Sequence, residues 1–465
     1  TRLTKVTGVQ TCALPICHFY QPPREDPETG RIPDEPGAEG FGNWNEKITS
    51  QCYLPNAELG NFSRISFDLG PTLGNWLAQA HPELYRSILD QEAAFFAKNG
   101  VSNAMAQSYH HTILPLSSRA DRETQVRWGI ADYEARFGRR PLGLWAPETA
   151  VDLETLDVLA ENGIRFTILA PWQADLSGAL DPSRPYRVAL PGGREIAVFF
   201  FERELSLNVS FNPDATLDAE RYIREFLAPM FPARGRIPRT FVIASDGELY
   251  GHHQPNRAEF LNWLTTGAAE TAGLTPLVPA QILRGTKKLS AIKIRENTSW
   301  SCDHGVDRWR GECGCAAHGD WKAPLREALN FLADVIDFES ERALCRFGLG
   351  LQETRNDYGR VLVGSESADA FAARWLGSAN GAAVERVKAL MAVQLDRHRM
   401  FTSCGWYFDA FDRIEPKNNI RAAARAVRRF DALAGTDLKA EMADRLSAVR
   451  DAATGLRGDE VFLDG

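Results

Sequence analysis

Two acidic residues each follow a short apolar run and precede a segment with helical periodicity. Glu148 lies in Gly-Leu-Trp-Ala-Pro-Glu-Thr-Ala (143–150), and Asp246 lies in Phe-Val-Ile-Ala-Ser-Asp-Gly-Glu (241–248). This pattern places both carboxylates at the C-terminal ends of parallel strands, where α/β proteins carry their functional groups. Paired carboxylates with aromatic and histidine neighbours are the groups that cleavage of a glycosidic bond requires.

Each carboxylate also has a simpler structural interpretation. Pro147 presents Glu148 on a rigid turn, but a surface glutamate at a helix N-terminus would look the same, with Thr149 or Asp152 as the cap. An aspartate at a strand end, such as Asp246, often caps the helix that follows. The sequence leaves both interpretations open for each residue taken singly, and the pair together favours function.

Further ionisable residues crowd the segment after Asp246. Three follow within eight positions of the chain, namely Glu248, His252 and His253. Clustered like charges and histidines are how proteins move the pKa values of neighbouring groups apart. This crowding favours a functional role for the segment over simple helix capping.

Histidine pairs at two strand ends, 110–111 and 252–253, are candidate metal ligands. Adjacent residues of a strand point to opposite faces, so at most one histidine of each pair faces the site. A hydrogen bond to a sugar hydroxyl is an equally good use of either histidine.

A second candidate metal centre combines Cys302-Asp-His304 with Cys313-Gly-Cys315. These residue types bind zinc, but their spacing matches no standard zinc finger. Interleaved tryptophans and an arginine also fit a packed loop that reaches the active site. We favour buried free thiols over structural zinc on the sequence alone.

Trp406 lies in an aromatic run, residues 402–409, between two segments with helical periodicity. Such a run normally belongs to a core. If a helical domain closed over a barrel, however, this loop would meet the substrate, and Trp406 would stack on a sugar ring.

Composition indicates a globular protein of two or three domains, since the chain has 465 residues and is 44% hydrophobic. The net charge of -8 argues against binding to nucleic acid or to an anionic membrane. Eight cysteines without a disulfide-scaffold spacing, and no apolar run of transmembrane length, predict a cytoplasmic protein. The 11 tryptophans favour a carbohydrate ligand weakly.

Alternating strand and helix patterns run from His18 to about residue 295, with the clearest strand–helix–strand unit at 141–170. Such alternation implies parallel strands with right-handed crossovers. Beyond about residue 320 the spacing becomes helical, with long patterns at 366–400 and 418–452. We therefore predict an α/β barrel followed by a mainly helical C-terminal domain.

The first residues need separate treatment. Val-Thr-Gly-Val-Gln-Thr-Cys-Ala-Leu-Pro-Ile (6–16) resembles the conceptual translation of a sequencing adapter. We predict that residues 1–17 are such an artefact and that the natural sequence begins near His18. A signal peptide is the rival interpretation, but its apolar stretch is short and interrupted. Truncation at the C-terminus is also left open.

The motifs resemble those of glycoside hydrolase family 57, in the branch with an uncharacterised C-terminal domain. His-Phe-Tyr-Gln-Pro (18–22) is similar to the family's first motif. Trp-Ala-Pro-Glu (145–148) resembles the segment with the nucleophilic glutamate, and Ser-Asp-Gly-Glu (245–248) resembles the segment with the acid/base aspartate. Residues 301–309 and 404–406 resemble stretches of the uncharacterised domain.

This resemblance implies a (β/α)7-type barrel over 18–295, a helical domain over 296–465, and retaining chemistry on α-glucans without a metal or other cofactor. Glu148 is then the nucleophile and Asp246 the acid/base. Hydrolysis and transfer to a sugar acceptor stay open. The predicted substrate-binding residues are His18, Gln21, His111, Trp145, Glu248, His253 and Trp406.

Three functional hypotheses follow. A retaining glycosidase or glucanotransferase requires the two carboxyl groups to lie about 5–6 Å apart. A metal-dependent deacetylase or mannosidase-like hydrolase requires Asp246, His111 and His253 to converge on one ion. A glucan-binding protein without activity would keep the barrel and form no product. The predicted partner in the first and third cases is an α-glucan, and the sequence does not indicate the oligomeric state.

Overall fold

The structure is a computed structural model that describes residues 10–13, 15–231, 239–315, 318–377 and 380–465. Its N-terminal part contains all the strands found in those residues. The strands are β1 (Gln10–Ala13), β2 (Pro15–Phe19), β3 (Ser66–Leu69), β4 (Ala104–Gln107), β5 (Leu144–Trp145), β6 (Phe166–Leu169), β7 (Ala174–Asp175), β8 (Tyr186–Ala189), β9 (Glu195–Phe200), β10 (Ile243–Asp246), β11 (Leu274–Leu277), β12 (Ser290–Ala291) and β13 (Lys293–Ile294).

A closed ring of parallel strands forms the barrel. Strands β10, β2, β3, β4 and β5 pair in that order, and β6 pairs with β9. Single parallel bridges, Gly143 to Phe166 and Phe201 to Val242, join the two groups at both edges. The described part of the chain thus closes seven parallel strands, which confirms the predicted (β/α)7-type barrel.

Strand alternation sends polar side chains into the top of the barrel. Ile16, Met105 and Ala244 lie in one apolar cluster inside the ring. Residues two positions further along each strand share this face, because side chains alternate with period two. These residues are His18, Gln107 and Asp246. The C-terminal end of the barrel therefore becomes polar where the interior below it is apolar.

Helices surround the barrel. They are α1 (Trp44–Ile48), α2 (Leu54–Glu58), α3 (Pro71–Ala80), α4 (Pro82–Asn99), α5 (Arg119–Phe137), α6 (Leu153–Glu161), α7 (Arg203–Phe211), α8 (Ala219–Tyr222), α9 (Arg257–Thr265), α10 (Gly267–Thr271) and α11 (Pro279–Gly285). Asp152 caps α6 by accepting from the Thr155 N–H. This is a cap that the simpler interpretation of Glu148 allowed, but Glu148 itself is only partly exposed and accepts from Trp300 and Ser301, so it is not a free surface glutamate.

The C-terminal part is helical, as predicted. It contains α12 (Asp307–Arg310), α13 (Lys322–Cys345), α14 (Leu351–Asp357), α15 (Gly359–Leu362), α16 (Ala368–Leu376), α17 (Gly381–Arg399), α18 (Cys404–Tyr407), α19 (Ile414–Ala434), α20 (Leu438–Leu446) and α21 (Gly458–Asp464). The long pattern at 366–400 divides into α16 and α17, and the pattern at 418–452 divides into α19 and α20. None of the helices in the described ranges is long and apolar enough to span a bilayer.

A buried charge cluster fixes the helical domain on the barrel. Arg397 of α17 contacts Asp121 of α5 (2.9 Å) and Asp337 of α13 (2.8 Å). Arg355 of α14 contacts the same two carboxylates, each at 3.3 Å. We call Asp121, Asp337, Arg355 and Arg397 the interface cluster. It joins one barrel helix to three helices of the C-terminal domain.

The predicted adapter segment overlaps the barrel. Residues 15–17 belong to β2, where Ile16 and Cys17 are fully buried. Residues 1–9 and 14 lie outside the described residues. The adapter origin of residues 1–17 and the domain limits at 18, 295 and 296 stay predictions.

Candidate active site

A chain of buried polar groups crosses the C-terminal end of the barrel. His18 Nδ1 lies 2.8 Å from Asp68 Oδ2, and His18 Nε2 lies 3.2 Å from His111 Nε2. His111 Nδ1 in turn lies 2.6 Å from the Ser403 hydroxyl, in the C-terminal domain. Gln107 Nε2 also donates to Asp68 (2.5 Å). The chain connects strands β2, β3 and β4 of the barrel to the helical domain.

The carboxylate partners of His18 decide its charge. Burial opposes a cation here, but Asp68, with support from Asp246 and Glu248, raises the pKa of His18 to about 9. Burial and the charge on His18 hold the pKa of His111 well below its usual range. A protonated His18 therefore donates to Asp68 from Nδ1 and to a neutral His111 from Nε2, and His111 Nδ1–H donates to Ser403.

Aromatic rings enclose this chain. Trp145 stacks on His18 at 5.2 Å between ring centroids, and Tyr20 stacks on His111 at 3.8 Å. Trp300 stands edge-on to both Trp145 (5.1 Å) and His18 (6.4 Å). The polar groups are thus surrounded by aromatic rings, where the local dielectric constant is low and each charge acts strongly on its neighbours.

Glu148 sits on an unusual backbone. Its φ is 57°, and that of Thr149 is 48°, so two successive residues adopt the left-handed region that side chains of this kind disfavour. The loop is held by Gln173, which accepts from the Thr149 hydroxyl (2.9 Å) and donates to the Thr149 carbonyl (2.8 Å). Trp300 N–H donates to the Glu148 carbonyl (3.0 Å). Such strain persists where a side chain must be aimed.

The Glu148 carboxylate accepts two hydrogen bonds at one oxygen. Trp300 Nε1 donates to Oε2 at 3.0 Å, and the Ser301 hydroxyl donates to it at 2.6 Å. Burial raises the pKa of Glu148, the Ser301 and Trp300 hydrogen bonds lower it, and the charge of Asp246 raises it; the net shift is upward. The second oxygen, Oε1, is left free of these two donors.

Asp246 lies at the rim, at the end of β10 and in register with His18 on β2. Its side chain is exposed and does not cap the following turn. Its charge raises the pKa values of Glu148, His18 and Glu248. Asp246 and Glu148 therefore act on the same cleft from different strands. The separation of about 5–6 Å between their carboxyl groups stays a prediction.

Glu248 forms the buried floor beside Asp246. Its Oε1 accepts from the Tyr53 hydroxyl (2.7 Å) and from the Tyr20 N–H (3.2 Å). Burial, together with the charge of Asp246, raises the pKa of Glu248 to about 7. Near neutral pH this group is partly protonated, although two donors point at it.

Of the predicted binding residues, His18, His111, Trp145 and Glu248 are brought together in this cleft. Gln21 is buried beside them and accepts from Arg24 (3.1 Å). His253 is exposed and has its ring against His252 (4.9 Å). The binding roles of these residues stay predictions.

The prediction that Trp406 stacks on a sugar ring is wrong. Its indole is fully buried, donates from Nε1 to the Lys322 carbonyl (3.2 Å) and packs under the Arg326 guanidinium at 3.9 Å. A ring enclosed in this way offers no face to a sugar, so the core interpretation of the aromatic run holds for Trp406. The next residue, Tyr407, is half-buried instead.

Sequence reasoning missed several residues of the site. Tyr407 is one of them: burial and the nearby charges of Glu148 and Asp246 raise its pKa. Gln107 was detectable, since it is the one polar residue of strand β4, whereas Asp68 lies in β3, where two of the four residues are polar. Ser301 and Ser403 come from loops of the helical domain, and no periodicity could have placed them at the barrel.

The metal-dependent alternative needs Asp246, His111 and His253 at one point. Both ring nitrogens of His111 face protein groups, His18 and Ser403. Within the described ranges, the residues grouped closely enough to hold an ion are Cys302, His304, Cys313 and Cys315. The structure thus does not assemble the triad that this alternative requires.

Comparison with known proteins matches both parts of the chain to family models. The model of the family described as Glycosyl hydrolase family 57 matches residues 48–292, which is more than half of the chain. A second family model, a domain of unknown function (DUF3536), matches residues 318–464. No curated protein matches the chain.

Solved structures with the same architecture include an exo-type maltose-forming amylase from Pyrococcus sp. ST04, at 16% identity and a TM-score of 0.77, covering 98% of this chain and 88% of that chain. A GH57-type branching enzyme from Pyrococcus horikoshii has 15% identity and a TM-score of 0.65, covering 97% and 96%. A 4-alpha-glucanotransferase from Thermococcus litoralis has 16% identity and a TM-score of 0.57, covering 90% and 60%. At these identities the likeness shows the fold.

Proposed function

The chain belongs to glycosyl hydrolase family 57, and from that membership and the cleft geometry we propose that it is a retaining glycosidase or glucanotransferase acting on α-glucans. The observation that carries the proposal is the Glu148 carboxylate. It is aimed by a strained turn, fixed at one oxygen by Trp300 and Ser301, and faces the same cleft as Asp246. The solved structures of similar fold are a maltose-forming amylase, a branching enzyme and a glucanotransferase, which supports an α-glucan substrate.

Glu148 acts as the nucleophile. Its free Oε1 attacks the anomeric carbon while the glycosidic C–O bond breaks and its electron pair goes to the leaving oxygen. The two donors at Oε2 stabilise the anion and hold the carboxylate plane. Because burial raises the Glu148 pKa, the anion is also less strongly solvated and more reactive than one in water.

Asp246 acts as the acid and then as the base. It gives its proton to the leaving oxygen in the first step and takes one from water or from a sugar hydroxyl in the second. Its exposed position at the rim suits this role, since it exchanges protons with solvent and meets the acceptor. Whether water or a sugar hydroxyl arrives first decides between hydrolysis and transfer.

Other groups shape the sugar site. His18, held as a cation by Asp68, balances part of the negative charge that Glu148, Asp246 and Glu248 bring together. Tyr407 is half-buried near both reacting carboxylates and supplies a hydroxyl and a ring edge. The exposed indole of Trp172, fixed by a bond from Nε1 to the Ser299 carbonyl (2.9 Å), is a stacking surface for a further sugar ring. The cytoplasmic location stays a prediction.

Proton NMR of a linear α-(1→4) maltooligosaccharide digest tests the proposal. We expect the first product to be the α anomer, as retention requires, and linkage analysis of the products to show whether new bonds form. A β anomer as first product would replace the retaining mechanism with an inverting one. Binding of the oligosaccharide without any product would leave the non-catalytic glucan-binding hypothesis instead.

Asp246→Ala separates the acid step from the nucleophilic step. The variant should lose activity on the oligosaccharide but still react with an α-glucosyl fluoride, whose leaving group needs no proton. Added azide should then release an α-glucosyl azide, because azide needs no general base. Equal losses on both donors would show that Asp246 has a role other than acid/base.

A further inference from the structure

Three cysteines and one histidine meet in the segment that connects the barrel to the helical domain. The ligand atoms of Cys302, His304, Cys313 and Cys315 all lie within 4.8 Å of one another. Cys302 Sγ is 3.9 Å from both Cys313 Sγ and Cys315 Sγ, and Cys315 Sγ is 3.3 Å from His304 Nδ1. This segment lies between the two matched family regions, which end at residue 292 and begin at residue 318.

These separations fit a tetrahedral metal site. Four ligands about 2.1–2.3 Å from a zinc ion have tetrahedral edges of about 3.5–3.8 Å. The Sγ–Sγ distances of 3.9 Å lie close to that edge. They are about twice the length of a disulfide bond, roughly 2.0 Å. The four residues supply a complete Cys3His set, which is a closed structural type and not an open catalytic one.

A buried cation beside the cluster supports the same conclusion. Lys322 is fully buried, and its Nζ has no hydrogen-bond partner among the described residues. Asp409 acts on it as a negative charge, and Cys313 and Cys302 also lie close enough for thiolate charge to act on it. Three thiolates around Zn²⁺ carry a net charge of about −1, which would add to the charge of Asp409 in balancing a lysine that is costly to bury.

We propose that Cys302, His304, Cys313 and Cys315 bind a zinc ion whose role is structural, and that this site holds the loop that orients Glu148. The proposal replaces the sequence-based preference for buried free thiols. Cys302 directly follows Ser301 and Trp300, the two donors to the Glu148 carboxylate. The exposed His304 and partly exposed Cys315 leave a path by which the ion enters.

The same segment also contacts Tyr407, which lies near the two reacting carboxylates. Arg308 donates to the Tyr407 carbonyl (3.0 Å), and its guanidinium lies 4.8 Å from the Tyr407 ring. Ser299 donates to the Gly305 carbonyl (2.6 Å), which closes the turn between the Glu148 donors and the ligands. A zinc ion at this point would therefore cross-link the supports of Glu148 and Tyr407.

Metal analysis of the full chain tests the site. Protein expressed with zinc and purified with a reductant should contain about one zinc per chain by plasma mass spectrometry. Cys313→Ser should lower this to below about 0.1, while Cys345→Ser should keep it, because Cys345 is exposed on α13 and bonds only to nearby Glu341 among described residues. Full zinc retention by Cys313→Ser would overturn the proposal.

Cobalt replacement in the wild-type chain avoids dependence on variant folding. Co²⁺ should give the strong visible bands of a tetrahedral ion together with thiolate charge-transfer absorption. Chelation should speed hydrogen exchange in peptides covering 298–310 and leave those of α17 unchanged. Octahedral cobalt spectra, or a Cys302–Cys313 disulfide by mass spectrometry of unreduced protein, would overturn the proposal. These readouts do not use glucan activity, so they stand apart from the proposed function.

Discussion

The cleft and the domain interface both bury charges, but they balance them differently. In the interface cluster two carboxylates, Asp121 and Asp337, face two guanidiniums. At the cleft, the described residues include four carboxyl groups near a single imidazolium, that of His18. The four carboxyl groups belong to Asp68, Glu148, Asp246 and Glu248. We call these five residues the cleft cluster.

The difference appears in the pKa values. Burial opposes the charge of both arginines; Asp121 and Asp337 hold the pKa of Arg397 above its ordinary value, while at Arg355 burial outweighs them and lowers the pKa. In the cleft cluster, burial and like charge raise the pKa values of Glu148 and Glu248. A balanced cluster keeps its charges and joins two domains. A cluster with excess negative charge contains carboxyl groups with raised pKa values, which gain or lose protons more readily near neutral pH. Acid/base chemistry needs such groups.

Glu148→Gln should break the cleft cluster's function with the largest effect. Removing the nucleophile should lower kcat/KM on maltooligosaccharides by about 10⁴-fold, equivalent to about 5.5 kcal/mol of transition-state stabilisation. The fold should not suffer, because the amide oxygen still accepts from Trp300 and Ser301 and one like charge is gone. Initial-rate kinetics and thermal unfolding measure the two effects.

Comparing the loss of activity with the change in melting temperature separates a catalytic role of Glu148 from a structural one. A variant that loses activity and also melts several degrees lower would show that Glu148 supports the fold, and the comparison between the two clusters would fail at its first step. Binding of the oligosaccharide by calorimetry should stay within a few-fold of wild type.

Arg397→Met should give the opposite pattern. Removing one guanidinium leaves Asp121 and Asp337 with Arg355 alone in a buried place, which costs about 3–5 kcal/mol. Urea unfolding should show this loss, while kcat of the folded enzyme stays within about two-fold. Arg360→Met, which breaks an exposed pair with Asp357 (2.9 Å), is the matched control and should cost under about 1 kcal/mol.

An equal loss for the buried and the exposed arginine would contradict a special role for the interface cluster. A large loss of kcat in Arg397→Met would instead show that the interface transmits its geometry to the cleft.

The barrel was predictable because its strands are short, apolar and separated by helical periodicity. Helix α6 and strand β6 both lie inside the strand–helix–strand unit predicted at 141–170. Strand β3 was missed, since Ser66–Leu69 carries two polar residues in four. Helices α1 and α2 were not predicted individually, because their Pro, Asn and acidic residues hide the helical period.

The site was predictable only in its barrel half. Glu148 and Asp246 follow apolar runs, so local pattern placed them at one rim, and the family resemblance added His18. Ser301 and Ser403 reach the cleft from the helical domain, through contacts separated by 153 and 292 residues in the chain. Contacts of that range depend on the packing of whole domains, which sequence periodicity does not encode.

Glu248→Gln should sharpen the comparison with a stabilising effect. The pKa of Glu248 is raised to about 7 by burial and by Asp246, so the folded state prefers the neutral carboxyl and loses stability as pH rises from about 4.5 through 7. Gln cannot ionise and keeps an acceptor for Tyr53 and Tyr20. The variant should therefore be about 1–3 kcal/mol more stable at pH 8 and unchanged near pH 4.5.

Urea midpoints at the two pH values measure this effect. Glu327→Gln, on the exposed face of α13, is the matched control for the same change of side chain at a surface position. Destabilisation of Glu248→Gln at pH 8 would mean that the ionised carboxylate is favoured in the fold, against the unbalanced charge of the cleft cluster.

Ser301→Ala should give the smallest and most local effect. The Ser301 hydroxyl lowers the Glu148 pKa by donating to Oε2 at 2.6 Å, so its loss should raise that pKa further. The nucleophile must be ionised, and the acid limb of the kcat/KM profile should therefore move to higher pH, by about one unit. Ser299→Ala is the matched control, because its hydroxyl donates to the Gly305 carbonyl (2.6 Å) and not to the carboxylate. Ser299→Ala should change the rate without shifting the acid limb of the kcat/KM profile. If Ser301→Ala also left the acid limb unshifted, the limb would not report the ionisation of Glu148.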